Sequence, residues 1–157
     1  MISLTNGRKE LELTNTLVLT PHQKEWERLS GLAIQEQTSL ATETKLKDFP
    51  FNTILVAKSQ ATKVFSREKE VAIGVGGPYQ ATGGMGDTLC GMIAGFLAQF
   101  TQSETFDVVF SATWLHSAIA DQLSETAYLV LPTQISQAIP AWMKCISKGE
   151  LPQSNPL

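Results

Sequence analysis

The sequence predicts an α/β fold, a layered domain in which a sheet is flanked by helices and is parallel in part. Three observations point there. Short apolar runs alternate with segments of helical period in the first half of the chain, as in "NTLVLTPHQKEWERLSG" and "NTILVA". Helical periodicity dominates the second half. No repeat, low-complexity tract or linker interrupts the 157 residues, a length that suits one domain.

The elements follow in order. Leu17–Leu19 reads as a short buried strand that runs straight into a helix, with Thr20 as N-cap, Pro21 at the first helical position and Gln23 completing a capping box. Gly31 is placed to end that helix. The segment from about Gln37 to Phe49 is a weaker helix, because its threonines lower the propensity. Asn52–Ala57, bounded by Pro50 and the polar "KSQ", is a second buried strand. "TKVFS" and "EVAIGV", separated by "REK", form a hairpin. After a cluster of glycines, Leu89, Ile93, Phe96, Leu97 and Phe100 recur at helical spacing, with Gly91 and Gly95 leaving a smooth strip for a close neighbour. A further helix runs from about Phe106 to Leu123, with Val109, Ala112, Leu115, Ile119 and Leu123 on one face. The last runs from about Thr133 to Ser147, carries Ile135, Ile139, Trp142, Met143 and Ile146, and is open to a kink at Pro140. The tail "GELPQSNPL" is polar and is expected to fray.

Composition bounds the function. Hydrophobic residues make up 43% and charged residues 17%, enough apolar content to bury a core. A net charge of −3 offers no electrostatic case for nucleic acid or an anionic membrane. Cys90 and Cys145 have no metal-ligand spacing, and reduced thiols are expected. No apolar run approaches the ~20 residues that span a bilayer. "MISLTNGRKELEL" lacks the basic-then-apolar order of a signal peptide. A cytoplasmic protein is the expectation.

The densest signal is "GGPYQATGGMGDTLCGMIAGFLAQ", residues 76–99. Gly77, Gly83, Gly84 and Gly86 precede one carboxylate, Asp87, at a helix start. In an open α/β sheet, ligands gather beyond the carboxyl ends of strands. Glycines admit close approach to the main chain, and the first N–H groups of a helix lack internal partners at the positive end of its dipole. An anion fits there, phosphate above all, with Gly83, Gly84, Met85 and Gly86 as the anion hole. Asp87 beside a phosphate is repulsive unless it takes a proton from a hydroxyl that attacks the phosphate. The local pattern equally permits a tight turn with Asp87 as a helix cap. No Gly-Lys-Ser/Thr of Walker type occurs.

"ATGGMGDTLCGMIAGFLAQ" closely resembles the signature of the ADP/ATP-dependent NAD(P)H-hydrate dehydratases, members of the ribokinase-like superfamily. "LVLTPHQKEWERL" resembles that family's strand–Thr-Pro-His–helix element. "ILVAKSQAT" is similar to its strand and Lys-Gly-x-Gly-Thr-type loop, and "SATWLHSAIAD" to the helix after the signature. The likeness runs from about Leu17 to Trp142. It implies a repair reaction, in which ADP or ATP phosphorylates the ring hydroxyl of hydrated NADH or NADPH and phosphate then leaves. Mg²⁺ is compatible with that chemistry.

Carried over on matching positions, the resemblance implies that Asp87 is catalytic and contacts the substrate, that His22 contacts the hydrated nucleotide, and that Gly86 contacts the adenine nucleotide. The nucleotide loop is Lys58, Ser59, Gln60, Ala61 and Thr62. Ser59 and Gln60 stand where the family usually has glycines, and Gly77 where an Asn commonly follows the glycine. His116 reads as a packed or capping histidine, and Tyr79 as flanking the glycine loop. Family members carry several strands before the Thr-Pro-His element. Residues 1–157 therefore read as one incomplete ribokinase-like domain, mostly its C-terminal half, expected to self-associate or to pair with an N-terminal portion through an apolar sheet edge. A ribokinase-like kinase for a vitamin-type alcohol, and a non-catalytic nucleotide-binding remnant, are the competing assignments.

Overall fold

The computed structural model describes residues 16–151, and the chain divides into two compact units, Met1–Ala72 and Ile73–Leu157. The tail beyond Leu151 lies outside the described residues.

The first unit is α/β. Its elements are β1 (Leu17–Leu19), α1 (Gln23–Ser30), α2 (Ser39–Leu46), β2 (Thr53–Ala57), β3 (Lys63–Phe65) and β4 (Glu70–Ala72). The strands lie in the order β1-β2-β3-β4. β1 and β2 are parallel, with Val18 opposite Ile54, and the two helices supply the crossover that a parallel pair requires. β2, β3 and β4 are antiparallel, with Val56 opposite Val64 and Val64 opposite Val71. Successive residues of a strand face opposite sides, and Thr53, Ile54, Leu55 and Val56 are all buried, so both faces of β2 are covered. Trp26, Leu46, Leu55 and Phe65 form the core of this unit, and the Trp26 ring sits 5.5 Å from that of Phe49.

α1 begins two residues later than Thr20 and Pro21 suggest. Its N-cap is His22, whose Nδ1 accepts from the N–H groups of Lys24 (3.1 Å) and Glu25 (3.2 Å), while the Glu25 carboxylate accepts from the His22 N–H at 2.8 Å. Pro21 is still in the sheet's service, because its carbonyl accepts from the Lys58 N–H at 3.0 Å. Gly31 ends the helix in the left-handed region, with φ of 78°. α2 is capped by the Thr38 hydroxyl, and its last carbonyls are met by Arg67, which donates to Lys47 O (3.0 Å) and Phe49 O (2.8 Å). The hairpin is closed by Ser66, whose hydroxyl accepts from the N–H groups of Glu68 and Lys69.

The second unit holds α3 (Met85–Gln99), α4 (Thr105–Ser124) and α5 (Pro132–Ile146). α4 is its centre: every residue from Leu115 to Ala120 is buried, which a helix covered on one side alone does not allow. Met85, Met92, Leu115, Ile119, Ile135 and Trp142 pack in one cluster. The Trp142 indole N–H donates to Gln122 Oε1 at 2.8 Å, and its ring meets Trp114 edge-on. α5 starts on a box in which Leu131 N–H donates to Gln134 Oε1 at 2.8 Å, with Pro132 at the first position. Two expectations change here. Ile146 is 39% exposed, since the helix ends there and the last turn passes the edge of the core. Gly91 and Gly95 face open space, so the smooth strip on α3 receives no neighbour among the described residues.

A polar knot joins α2 to the hairpin. Lys63 Nζ lies 2.6 Å from Glu70 Oε1 and 2.7 Å from Ser39 Oγ, and the Ser39 hydroxyl donates to Glu70 at 2.8 Å. The Lys63 bond first, and the Ser39 bond second, hold the Glu70 carboxyl below its ordinary value of 4.5. A carboxyl lowered on folding stabilises the fold above its unfolded pKa, and that contribution disappears as pH falls through the folded value. Glu70→Gln is therefore expected to cost about 0.5–1 kcal/mol at neutral pH, a small figure because solvent screens this part-exposed pair. Urea titrations of the two proteins should converge as pH falls through the lowered folded-state value of Glu70; a deficit that persists at still lower pH would mean the ion pair is not its source.

Candidate functional site

Each unit contains one group of the expected site residues. In the first, an isolated parallel bridge between His22 and Lys58 extends the β1–β2 pairing and sets the Thr-Pro-His turn beside the loop Lys58–Thr62. His22 is exposed, and its Nδ1 is committed to the helix cap. An acceptor nitrogen carries no proton, so the neutral ring bears its hydrogen on Nε2, which lies 3.4 Å from Glu25 Oε1. The loop is folded by Ser59, whose hydroxyl donates to Ala61 O (2.9 Å) and accepts from Ala61 N–H (3.2 Å). Lys58 and Thr62 are half-buried, while Ser59, Gln60 and Ala61 are exposed. Lys58 Nζ has no partner among the described residues. Pro21, Trp26, Thr38, Lys58, Ser59 and Lys63 are among the walls of a cavity of about 270 Å³.

In the second unit the glycines and Asp87 meet. Gly84 is the N-cap of α3, with φ of 87°, and it offers no side chain to the helix end. A β-carbon there would lie 3.3 Å from Pro132 Cγ, in a backbone conformation that L-residues rarely adopt. Met85 N–H turns inward to Thr82 O at 3.3 Å and Thr88 N–H reaches Gly84 O at 3.0 Å. The N–H groups of Gly83, Gly84, Gly86 and Asp87 have no partner among the described residues. Of the four residues expected at the anion hole, Gly83, Gly84 and Gly86 thus present amides. Met85 instead buries its side chain against α4 and anchors the turn.

Asp87 occupies the third helical position, is exposed, and makes no hydrogen bond or ion pair among the described residues. It does not cap α3. A free carboxylate therefore stands on the same turn as four free donors, which is the arrangement for accepting a proton from a hydroxyl group while its attacked anion is held.

Farther up the loop the amides are spent. Gly76 N–H donates to Asp121 Oδ1 (3.1 Å) and Gly77 N–H to Gln80 Oε1 (3.2 Å), so neither is left for a ligand. Tyr79 flanks the loop, half-buried, and its carbonyl accepts from Val130 N–H at 3.1 Å. His116 is 4% exposed and is packed within α4. Sequence reasoning missed Gln80 and Asp121: the Gln80–His116 and Gly76–Asp121 contacts lie across the fold, whereas the Gly77–Gln80 bond, three residues apart, is a local capping pattern. The His22–Glu25 box was visible in principle, since Glu three residues after a turn is a capping signal.

Among the described residues no three His, Cys, Asp or Glu side chains gather as metal ligands, and no helix is long and apolar enough to cross a membrane. Cys90 and Cys145 are free thiols.

The sequence profile of the NAD(P)H-hydrate dehydratases matches residues 2–141. The chain belongs to this family. It is 63% identical over 131 residues to an ADP-dependent (S)-NAD(P)H-hydrate dehydratase of Streptococcus thermophilus, across 83% of this chain and 47% of that protein. A ribokinase-like superfamily protein of Enterococcus faecalis superposes with a TM-score of 0.75 at 45% identity, covering 86% of this chain and 45% of its own. The ADP/ATP-dependent NAD(P)H-hydrate dehydratase of Bacillus subtilis, crystallised with ATP and Mg²⁺, superposes with a TM-score of 0.72 at 27% identity, covering 82% and 47%. The fold is ribokinase-like α/β. The chain spans about half the length of the curated relatives it matches.

The turn at Gly84 generates a contrast in stability. Gly84→Ala is expected to cost about 1–2 kcal/mol, from the left-handed backbone alone, with the Pro132 contact adding to it. A β-carbon at Gly83 meets nothing within 4 Å, and Gly83→Ala should stay within about 0.5 kcal/mol of the parent. Equal denaturation midpoints for the two variants would contradict the geometry.

Proposed function

We propose that the whole protein to which this chain corresponds dehydrates hydrated NADH or NADPH at the expense of an adenine nucleotide, and that residues 1–157 supply its nucleotide loop, anion hole and proton acceptor as part of a single ribokinase-like domain. The observation that carries this is the pairing of a partnerless Asp87 carboxylate with the open amides of Gly83, Gly84, Gly86 and Asp87 on one turn. Family membership supports the substrate assignment. The names of the relatives favour ADP as the phosphoryl donor, with ATP as the alternative.

The chemistry follows from these groups. Asp87 takes the proton of the ring hydroxyl as its oxygen attacks the terminal phosphorus of the nucleotide. The bond between that phosphorus and the bridging oxygen breaks, and the shortened nucleotide leaves. The amides of the α3 turn hold the charge that accumulates on the transferred group. The ring carbon–oxygen bond then breaks to release phosphate, and loss of a proton from the adjacent carbon restores the double bond. His22 presents its Nε2–H to the nicotinamide nucleotide. Lys58, with Ser59, Gln60, Ala61 and Thr62, binds the adenine nucleotide, and Gly86 contacts it from the α3 turn. Bound Mg²⁺ would supply charge neutralisation of the nucleotide's phosphates. The described residues offer no protein cage for it, only the single carboxylate of Asp87 near the anion hole.

The cytoplasm, where these nucleotides are used, is the proposed compartment. Among the described residues β1 pairs on one side only, which supports association with further strands or a second copy.

Two outcomes test the proposal. Residues 1–157 alone are expected to restore NADPH absorbance from its hydrate weakly or not at all, because the chain covers only about half of its relatives; robust turnover by the pure chain would refute that. In the whole protein, Asp87→Asn should preserve the melting temperature and nucleotide binding. It should slow single-turnover repair by about 10²–10⁴-fold, the usual contribution of a positioned base. An undiminished rate in a folded, nucleotide-binding variant would remove Asp87 from the chemistry. A variant-independent failure to act on the hydrate, with phosphorylation of a vitamin-type alcohol, would favour a kinase; turnover of neither would favour a remnant.

A further inference from the structure

We infer that Gln80 is a positioning residue that locks the glycine loop onto α4 through its side-chain amide. This rests on the reading of the loop as a phosphate-binding element. Gln80 Oε1 accepts from Gly77 N–H at 3.2 Å, and its Nε2 lies 3.4 Å from His116 Nδ1. The first contact fixes the orientation of the amide, since a main-chain N–H requires an oxygen opposite it. Gln80 Nε2 then faces His116, and for this contact to be a hydrogen bond Nδ1 accepts and the ring hydrogen sits on the buried Nε2. His116 is 4% exposed on the most buried stretch of α4, so the anchor is rigid.

The glycines at 76 and 77 belong to the same device. A β-carbon on Gly76 would stand 2.6 Å from Gln80 Oε1, and one on Gly77 would stand 2.6 Å from Tyr79 Cε1. Gly76 also has φ of 109° and gives its N–H to Asp121, a second tie to α4. From Gln80 the constraint passes along the chain in short steps. Thr82 N–H donates to Gln80 O (2.9 Å), the Thr82 hydroxyl donates to Val130 O (3.0 Å), and Thr82 O receives Met85 N–H. The loop is thus pinned at 76–80 and again at 82, immediately before the free amides at 83, 84, 86 and 87.

The test compares the parent chain with Gln80→Met, which keeps the side-chain length and removes both polar contacts, and with Gln80→Glu, which keeps the acceptor for Gly77. Amide exchange by NMR is expected to accelerate about tenfold at Gly77 in Gln80→Met, with Gln80→Glu nearer the parent, as the loss of one ordinary hydrogen bond predicts. ADP titration should show affinity weakened about three- to tenfold in Gln80→Met. Ring nitrogen shifts should show the Nε2–H form of His116 in the parent and a mixture in Gln80→Met. Unchanged exchange and tautomer in a folded Gln80→Met chain, or an Nδ1–H ring in the parent, would overturn the inference. Should Gln80→Met not fold, Gln80→Glu and the parent tautomer still decide it. If the parent itself does not bind ADP, the nucleotide assignment fails, while exchange and tautomer continue to report on the clamp.

Discussion

The left-handed turn at Gly84 is the constraint on which the second unit's site depends. It allows the chain to enter α3 with no side chain at the N-cap, so the amides of Gly86 and Asp87 stay unclaimed among the described residues. Exposed N–H groups cost little while water serves them, and they lose nothing when an anion replaces that water. What keeps the turn in place is apolar. Met85, Leu89 and Met92 follow at helical spacing and are buried, so the helix is held from behind while its front end stays open.

The nucleotide loop of the first unit reaches a defined shape by another route. Glycine-rich loops give the backbone freedom to approach a ligand, and that freedom must be lost on binding. Here Ser59 makes two bonds to Ala61, and Lys58 N–H is tied to Pro21 O, so the loop is shaped before any ligand arrives. Gln60, at the tip, is exposed, while the Ser59 hydroxyl closes the turn onto Ala61. Side-chain hydrogen bonding substitutes for glycine's conformational range.

Much of this was legible in the sequence because the signals were local. Short strands of three to five residues, the Ser66–Lys69 turn and the helix after the glycines all announce themselves by period and punctuation. The start of α1 did not, because two local rules competed. Thr-Pro favours one boundary, whereas Glu25 paired with His22 sets another, and the bond from Lys58 to Pro21 decides between them. That bond spans 37 positions and has no sequence trace. The same holds for Gln80 with His116 and for Gly76 with Asp121, which are separated by 36 and 45 positions. Met85, among the same glycines, gives its N–H to Thr82 O and buries its side chain.

The choice of residue at the N-cap also explains why a carboxylate can sit beside an anion site. Ser, Thr, Asp or Asn at position 84 would place its own oxygen over the amides at 86 and 87, occupying them internally. Asp87 itself, three residues on, would then be drawn back toward the cap in a box. Glycine removes both possibilities: it has no oxygen to offer, and its positive φ disfavours Ser and Thr at that position. The amides and the carboxylate are left as separate, unspent groups on one turn. Helix stability is forgone at that end, by roughly a few tenths of a kcal/mol relative to a good cap, and the buried face of α3 makes up the difference. An anion-binding donor set and a proton acceptor within one helical turn are the chemical result.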